Sequence, residues 1–411
     1  GRSPLKDWNN ELDRRRFIRP QDQHLVWGIT PVGNDEPIGQ IARHRAEPVR
    51  VGVIGCGSLA CNVHLPLLAR RPDVDVIALA DCAAAARQAA LRHAPSARVY
   101  NHGLDLVDNE RVEAVVVCTP AGLHADVAVA ALEAGRHLYL EKPIATTALD
   151  GERVVAAGRA ADTVAMIGFN YRQHPGYAAI RNAIISGAIG NVVCVRVAFC
   201  TPPQRISGWR QHRRQGGGVL LELASHEVDL IHFIIGERIV EVSAQISSRE
   251  SEDDTAHLQG RTKSGIDVQG FFSTCAVEEA RMEVYGDEGK LTLDRYGQLM
   301  VERRGAAAPG PVSNLLSAVL QWRGIGYMFR RQRSPWREPS FELALARFFD
   351  AVRAGTPISP SLNDGLQSLR VILAAESAAR HGGLVTVAEP DTALECPPAP
   401  LILTAEAAPN V

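Results

Sequence analysis

No stretch of the 411 residues supplies the roughly 18–20 consecutive apolar side chains that a membrane-crossing helix needs. Runs such as 114–118 and 230–235 have only the length of core elements. Neither sign of charge is in excess: 44 basic against 46 acidic side chains leave a net −2. No basic field is therefore available to hold nucleic acid or anionic lipid. The eight cysteines include no C-x-x-C pair. In a chain this long that argues against a disulfide frame or zinc cage and for buried thiols in a reducing, cytoplasmic compartment. No internal repeat is visible. The Arg14-Arg15-Arg16 cluster lacks the apolar segment that would make it an export signal. The first residue is Gly1 instead of Met, which leaves an upstream signal open.

Core material is plentiful, with 46% hydrophobic and 22% charged residues, and the length suits two or three domains. Residues 1–48 are polar and carry Pro20, Pro31, Pro37 and Pro48, which reads as an arm, either ordered or a loose tail. From Val49 the pattern alternates. Apolar runs at 49–54, 74–80, 114–118, 137–140 and 164–168 are separated by helical spacing at 61–70, 83–93, 122–134 and 146–161. Continuous apolar strands alternating with helices predict a parallel sheet covered on both faces, an α/β doubly wound domain over 49–168.

After Phe169 the character changes. A helix at 175–186, a strand at 192–200 and an apolar helix at 219–235 precede strand-like runs at 238–247, 255–261, 268–275, 281–285, 290–293 and 299–301. Short turns between them predict a large, mostly antiparallel sheet in an α+β domain over 169–396, with an Arg-rich insertion at 305–338 and a tail at 397–411. Helices at 340–354 and 360–381 close the pattern. Asn363 and Asp364 favour the first turn of the second, and Gly382-Gly383 ends it.

The first strand runs straight into Gly55-Cys56-Gly57-Ser58-Leu59-Ala60, a G-x-G-x-x-A between a strand and a helix. The first glycine permits the tight turn, the second lets a pyrophosphate approach the backbone, and Ala60 allows helix–strand packing. The helix N-terminus then offers free N–H groups to the phosphates. Asp81 ends the second strand about 20 residues on, where a carboxylate accepts hydrogen bonds from a ribose. It would repel a 2′-phosphate, and its neighbour is Cys82, not a cation, so NAD is favoured over NADP.

Three further segments follow: Val117-Cys118-Thr119-Pro120-Ala121-Gly122-Leu123-His124, then residues 131–137, then Glu141-Lys142-Pro143. Their order and spacing resemble the glucose–fructose oxidoreductase / inositol dehydrogenase (Gfo/Idh/MocA) family over about 49–303. The resemblance implies an NAD-dependent oxidoreductase acting on a secondary alcohol or ketone of a sugar, cyclitol or sugar derivative, and a homo-oligomer. It places Gly55, Gly57 and Ala60 at the phosphates, Asp81 at the ribose, and Thr119, Pro120 and His124 beside the nicotinamide half. Glu141 falls near the nicotinamide ribose, and Lys142 matches the catalytic lysine. Gly168-Phe169-Asn170-Tyr171-Arg172 resembles the start of the family's substrate domain, and Glu222 to Asp229 its D-x-x-x-H-x-x-D helix, with Glu where the family often has Asp. Two alternatives stay open: a redox-neutral enzyme that recycles tightly bound NAD, and a non-catalytic nucleotide-binding protein.

On a regular helix Glu222, His226 and Asp229 share one face, so Glu222 could orient His226 or bind a substrate hydroxyl. That face could equally be solvated. His226 is expected to be the direct acid/base and Lys142 the polarising partner, with the reverse order possible in principle. Tyr171, Arg172 and Trp209 are candidate substrate contacts. No metal is expected, because Glu222/His226 lacks third and fourth ligands and Leu230 breaks H-E-x-x-H. Gly216-Gly217-Gly218 suggests a close backbone approach. The arginines Arg323, Arg330, Arg331, Arg333 and Arg337, with Trp322 and Trp336, form either a solvated loop or a lid for an anionic substrate.

Overall fold

The computed structural model describes residues 47–388 apart from 110, 204–207, 297–301, 306–326 and 328. The arm at 1–48 lies almost wholly outside these residues. So do the tail at 397–411, the expected strand at 299–301, and Trp322 and Arg323 of the insertion.

Six short parallel strands form the first sheet: β1 (Val49–Ile54), β2 (Val74–Ala80), β3 (Arg98–Tyr100), β4 (Ala114–Val117), β5 (His137–Leu140) and β6 (Ala165–Ile167). Their order is 3-2-1-4-5-6, the doubly wound arrangement in which ligands bind at the carboxyl edge near the β1/β4 crossover. β4 is buried at every residue and β1 and β5 at all but one, as that arrangement requires, whereas β2 is buried only over its last three residues. The crossovers carry α1 (Leu65–Leu68), α2 (Ala84–Leu91), α3 (Gly103–Val107), α4 (His124–Glu133) and α5 (Ala148–Ala160). β3 and α3 are short, and β3 is mostly exposed, so neither gives an apolar run that the sequence pattern could register.

α6 (Pro175–Ile185) leads to a second sheet of eight strands: β7 (Val192–Cys200), β8 (Ile239–Ser247), β9 (Thr255–Thr262), β10 (Asp267–Ser273), β11 (Glu279–Gly286), β12 (Gly289–Asp294), β13 (Glu302–Gly305) and β14 (Val385–Thr386). Every pairing is antiparallel except β7 with β10. α7 (Ser225–Ile235) packs on its buried face.

α8 (Ser340–Ala354), assigned along the sequence to the second domain, joins the core of the first sheet. Its Phe348 and Phe349 are fully buried, and Phe348 meets Tyr139 of β5 edge-on at 5.6 Å. Each such ring contributes about 1.5–3 kcal/mol by burial. α9 (Leu362–His381) lies against α5, where Leu366 fills the space above Gly151. Ser361 and Asp364 form a capping box at its start.

Two helices differ from their expected form in the same way. The helix after the fingerprint opens with a π turn, Ala60–His64, before α1. The helix expected at 219–235 opens with another, Leu220–Ala224, before α7. A π turn closes on i→i+5 bonds and adds a residue to the turn.

Candidate active site

The site is assembled at the carboxyl ends of β1, β4, β5 and β6. Gly55 has φ +87°, and a Cβ there would stand 2.6 Å from the Cys118 and Thr119 backbone. Glycine is thus required by both conformation and space. Gly57 is the opposite case: a Cβ would meet no atom of the chain within 4 Å. Its outer side is the open cradle that a pyrophosphate would fill. Ser58 is exposed and accepts from Asn62 at 3.0 Å, Leu59 is half-buried, and Ala60 is fully buried at the start of the π turn.

Asp81 accepts the Cys56 N–H and the Ala83 N–H, each at 2.8 Å, which fixes its carboxylate beside the phosphate loop. Arg87 of α2 reaches back to donate to the carbonyls of Asp81 and Cys82 at 2.6 and 3.1 Å. The cation missing beside Asp81 in the sequence is therefore supplied from one helical turn further on. Asp81→Ala removes a charged hydrogen-bond acceptor for the ribose, worth about 1.5–3 kcal/mol, so NADH should bind roughly 10–100-fold more weakly. With Arg87 left in place, NADPH should lose less, and fluorescence titration with both cofactors checks the difference.

His124 is fully enclosed, with Nδ1 2.6 Å from the Pro143 carbonyl and Nε2 2.9 Å from the Thr119 carbonyl. Burial pushes its pKa down, against the opposing pull of the two carbonyls, and the ring stands between the β4 and β5 loops. Pro120 leads into the 3₁₀ turn Ala121–Leu123, and the Thr119 hydroxyl is buried without a partner. Glu141 is 4% exposed; its Oε1 lies 2.7 Å from His64 Nε2, and its Oε2 accepts the Lys142 N–H at 3.3 Å. Gly168 clears room for that carboxylate, since a Cβ there would come within 2.9 Å of Oε2.

Lys142 donates from Nζ to the backbone carbonyl of Glu222 at 2.7 Å, bridging the first sheet to the helix that carries His226. Burial pushes it down to about 8, against the opposing pull of Glu222 and Glu141. His226 is 8% exposed, and its Nδ1 has no partner among the described residues. Burial, then the charges of Lys142 and Arg295, push it well below its ordinary value of 6.5. Tyr171 meets its ring at 4.8 Å, and Phe169 and Phe199 stand at 6.1 and 6.5 Å.

Two sequence expectations are corrected here, for Glu222 and Arg172. Glu222 does not hydrogen-bond His226. Its carboxylate faces Arg210, whose Nε stands 3.4 Å away, and Oε1 is buried without a hydrogen bond. Arg172 is not placed to contact a substrate. It is buried in a fork with Asp229 (Nε to Oδ2 at 2.8 Å), with Asp364 at 3.3 Å and Ser359 at 3.0 Å. The backbone approach signalled by Gly216-Gly217-Gly218 is made by the chain itself. A Cβ on Gly217 would collide with the Arg210 carbonyl, and one on Gly216 would press on Ala121 at 2.7 Å. That fit lays the 208–215 turns beside the Thr119 loop, with Trp209 half-buried and Arg210 5.5 Å above its ring.

The structure also adds His64, Arg210 and Arg295, which the sequence reading had not placed at the site. Of the insertion, Arg331 donates to the Tyr296 carbonyl at 2.8 Å, while Arg330, Arg333 and Arg337 are exposed. Among the described residues no group of three or more His, Cys, Asp or Glu side chains could hold a metal, and no helix is long and apolar enough to cross a membrane.

Comparison with known proteins matches this geometry to a family. The profile described as "Oxidoreductase family, NAD-binding Rossmann fold" matches residues 49–169, and that of the "GFO/IDH/MocA C-terminal domain" matches 177–292. The myo-inositol 2-dehydrogenase of Thermotoga maritima is 26% identical over 354 residues, 80% of this chain and 96% of that protein. The 1,5-anhydro-D-fructose reductase of Ensifer adhaerens is 30% identical over 294 residues, 68% of this chain and 80% of the relative. The crystal structure of an oxidoreductase domain protein from Kribbella flavida superposes with a TM-score of 0.69 at 26% identity, covering 84% of this chain and all of that one. By these matches this chain belongs to the Gfo/Idh/MocA oxidoreductase family.

Proposed function

We propose that the protein is an NAD(H)-dependent dehydrogenase or reductase acting on the CH–OH carbon of a sugar, cyclitol or sugar derivative. One observation carries the reading. Three buried polar atoms around the strand ends, Thr119 Oγ1, Glu222 Oε1 and His226 Nδ1, have no hydrogen-bond partner within the described residues. Buried polar groups are nearly always satisfied, so orphans on the loop after β4 and on the helix that Lys142 reaches are suited to a polyhydroxylated guest. The relatives named for inositol and anhydrofructose chemistry are consistent with such a substrate.

Bound NAD would supply the hydride acceptor, or in its reduced form the donor. The chain holds it through Gly55, Gly57, Ser58, Leu59, Ala60 and Asp81 on one half, and through Thr119, Pro120, His124, Glu141 and Lys142 on the other. His226 exchanges the hydroxyl proton. Lys142, fixed by the Glu222 carbonyl, directs its remaining N–H bonds and its charge at the same oxygen. Glu222 and Trp209 border the substrate space, and Tyr171 packs under His226. The exposed face of the second sheet would be the contact between copies of the chain, and free thiols such as the exposed Cys82 suit a reducing, cytoplasmic compartment.

The roles of the two bases have opposite pH signatures. At neutral pH His226 is uncharged and Lys142, near 8, is mostly charged. With His226 as acceptor and Lys142 as polarising cation, kcat/KM for alcohol oxidation stays level from about pH 6 to 7.5. Above about pH 8 it falls roughly tenfold per unit as Lys142 loses its proton. A profile that rises through pH 8 would make Lys142 the base.

The substrate class is tested by mass-spectrometric product analysis against free sugars, cyclitols, sugar acids and nucleotide sugars, with and without added cofactor. A change of two mass units that requires added cofactor supports the proposal. An isomerised or cleaved product without added cofactor replaces it with a cofactor-recycling enzyme.

A further inference from the structure

Arg295 follows β12 and is sealed from solvent. Its guanidinium pairs with Glu227, the residue next to His226, and donates to the Tyr177 hydroxyl from Nε and Nη2 at 3.0 and 2.7 Å. The Nη1 group has no partner among the described residues. A guanidinium does not deprotonate in a protein, so this is a fixed buried charge. The same guanidinium lies 3.7 Å from the ring centre of Tyr171 and 4.8 Å from that of Phe199. Both rings are also neighbours of the His226 imidazole.

We propose that Arg295 is a positioning residue for proton transfer at His226: it clamps Tyr171 against the imidazole by a cation–π contact and holds a permanent positive charge behind it. The inference rests on the acid/base role read for His226 above.

The groups that face His226 come from five elements. Glu222, Glu227 and Asp229 lie on its own helix. Lys142 comes from the end of β5, and Tyr171 with Phe169 from the turn before α6. Phe199 comes from β7, and Arg295 and Tyr296 from the turn after β12, with the Tyr296 hydroxyl 3.2 Å from that of Tyr171. Asp229 is engaged by Arg172, and the Glu222 carboxylate faces Arg210. Glu227 pairs with Arg295; after burial, Lys142 and Arg295 are the charges that bear on the ring, and both disfavour a third cation. The effect, added to that of burial and of Lys142, is to keep His226 a neutral proton acceptor near neutral pH.

The test needs no substrate. The full chain is labelled at histidine, the His226 signal is assigned by its loss in His226→Asn, and its titration is followed by NMR from pH 8 down to its midpoint. In the parent protein that midpoint should lie well below 6.5. In Arg295→Met/Glu227→Gln, which removes the pair together and leaves no unmatched charge, the midpoint should rise by about one pH unit or more. In Glu227→Gln alone the cation loses its counter-charge, and the midpoint should stay down. Arg295→Lys keeps the charge and should also stay down. An unmoved midpoint in the double variant overturns the proposal. So does an equal rise in the double variant and in Glu227→Gln, which would mean only that water had entered. Loss of the catalytic reading is registered separately, as full turnover in His226→Ala.

Discussion

Lys142→Met is expected to bind NADH within a few-fold of the parent affinity and to lose turnover by about 10²–10⁴-fold, the usual size of a lost acid/base or polarising group. Methionine keeps the length and apolar stem of lysine, so the packing at the end of β5 is preserved. What disappears is Nζ, the atom that donates to the Glu222 carbonyl and carries a charge, titrating near 8, that bears on His226. The expected pattern is a fall in kcat and kcat/KM together, because the interaction strengthens as charge develops on the substrate oxygen. Fluorescence titration with NADH and steady-state rates on the substrate found by product analysis check the two halves. Parallel losses in NADH binding and turnover would instead make Lys142 part of the cofactor scaffold.

Arg172→Met should act on the fold and not on substrate affinity. The guanidinium joins three separate pieces of chain: the turn after β6, Asp229 of α7, and the Ser359–Asp364 segment that opens α9. Its side chain is 7% exposed and that of Asp229 1%. Removing one partner of such a buried pair leaves the other uncompensated, at a cost of about 3–5 kcal/mol. Urea unfolding should show that loss, while the KM of the folded fraction stays close to the parent value. A large rise in KM with unchanged stability would return Arg172 to the substrate site. The resemblance alone could not distinguish these outcomes, since a residue that fixes the second domain and one that touches substrate occupy the same motif.

The parts of the molecule legible in the sequence are those where one local pattern has one structural solution. The buried runs at 49–54 and 114–118 could hardly be anything but interior parallel strands, and Gly55 and Asp81 stand at the ends of such strands. Where side chains meet depends on finer geometry. Periodicity found the helix around His226 but carried no sign of the π turn before it, because an added residue in a turn leaves apolar spacing nearly intact. The expected contact between Glu222 and His226 gives way to one between Glu222 and Arg210, which periodicity cannot indicate. His64 follows the fingerprint closely, yet nothing in its surroundings indicates that it faces Glu141, 77 residues away. Arg295 was beyond reach altogether. It lies in an ordinary turn after a strand, and only the second sheet brings it to Tyr171.

The position of α8 and α9 also has a consequence for synthesis. A ribosome making this chain completes β6 at residue 167, but the helix whose Phe348 and Phe349 seal the first sheet emerges roughly 180 residues later. At about 5–20 residues per second the nascent nucleotide-binding half waits on the order of 10–40 s with that apolar flank uncovered. During this interval it is a client for chaperones. Any message truncated before α8 would yield an adhesive fragment in place of a smaller NAD-binding protein.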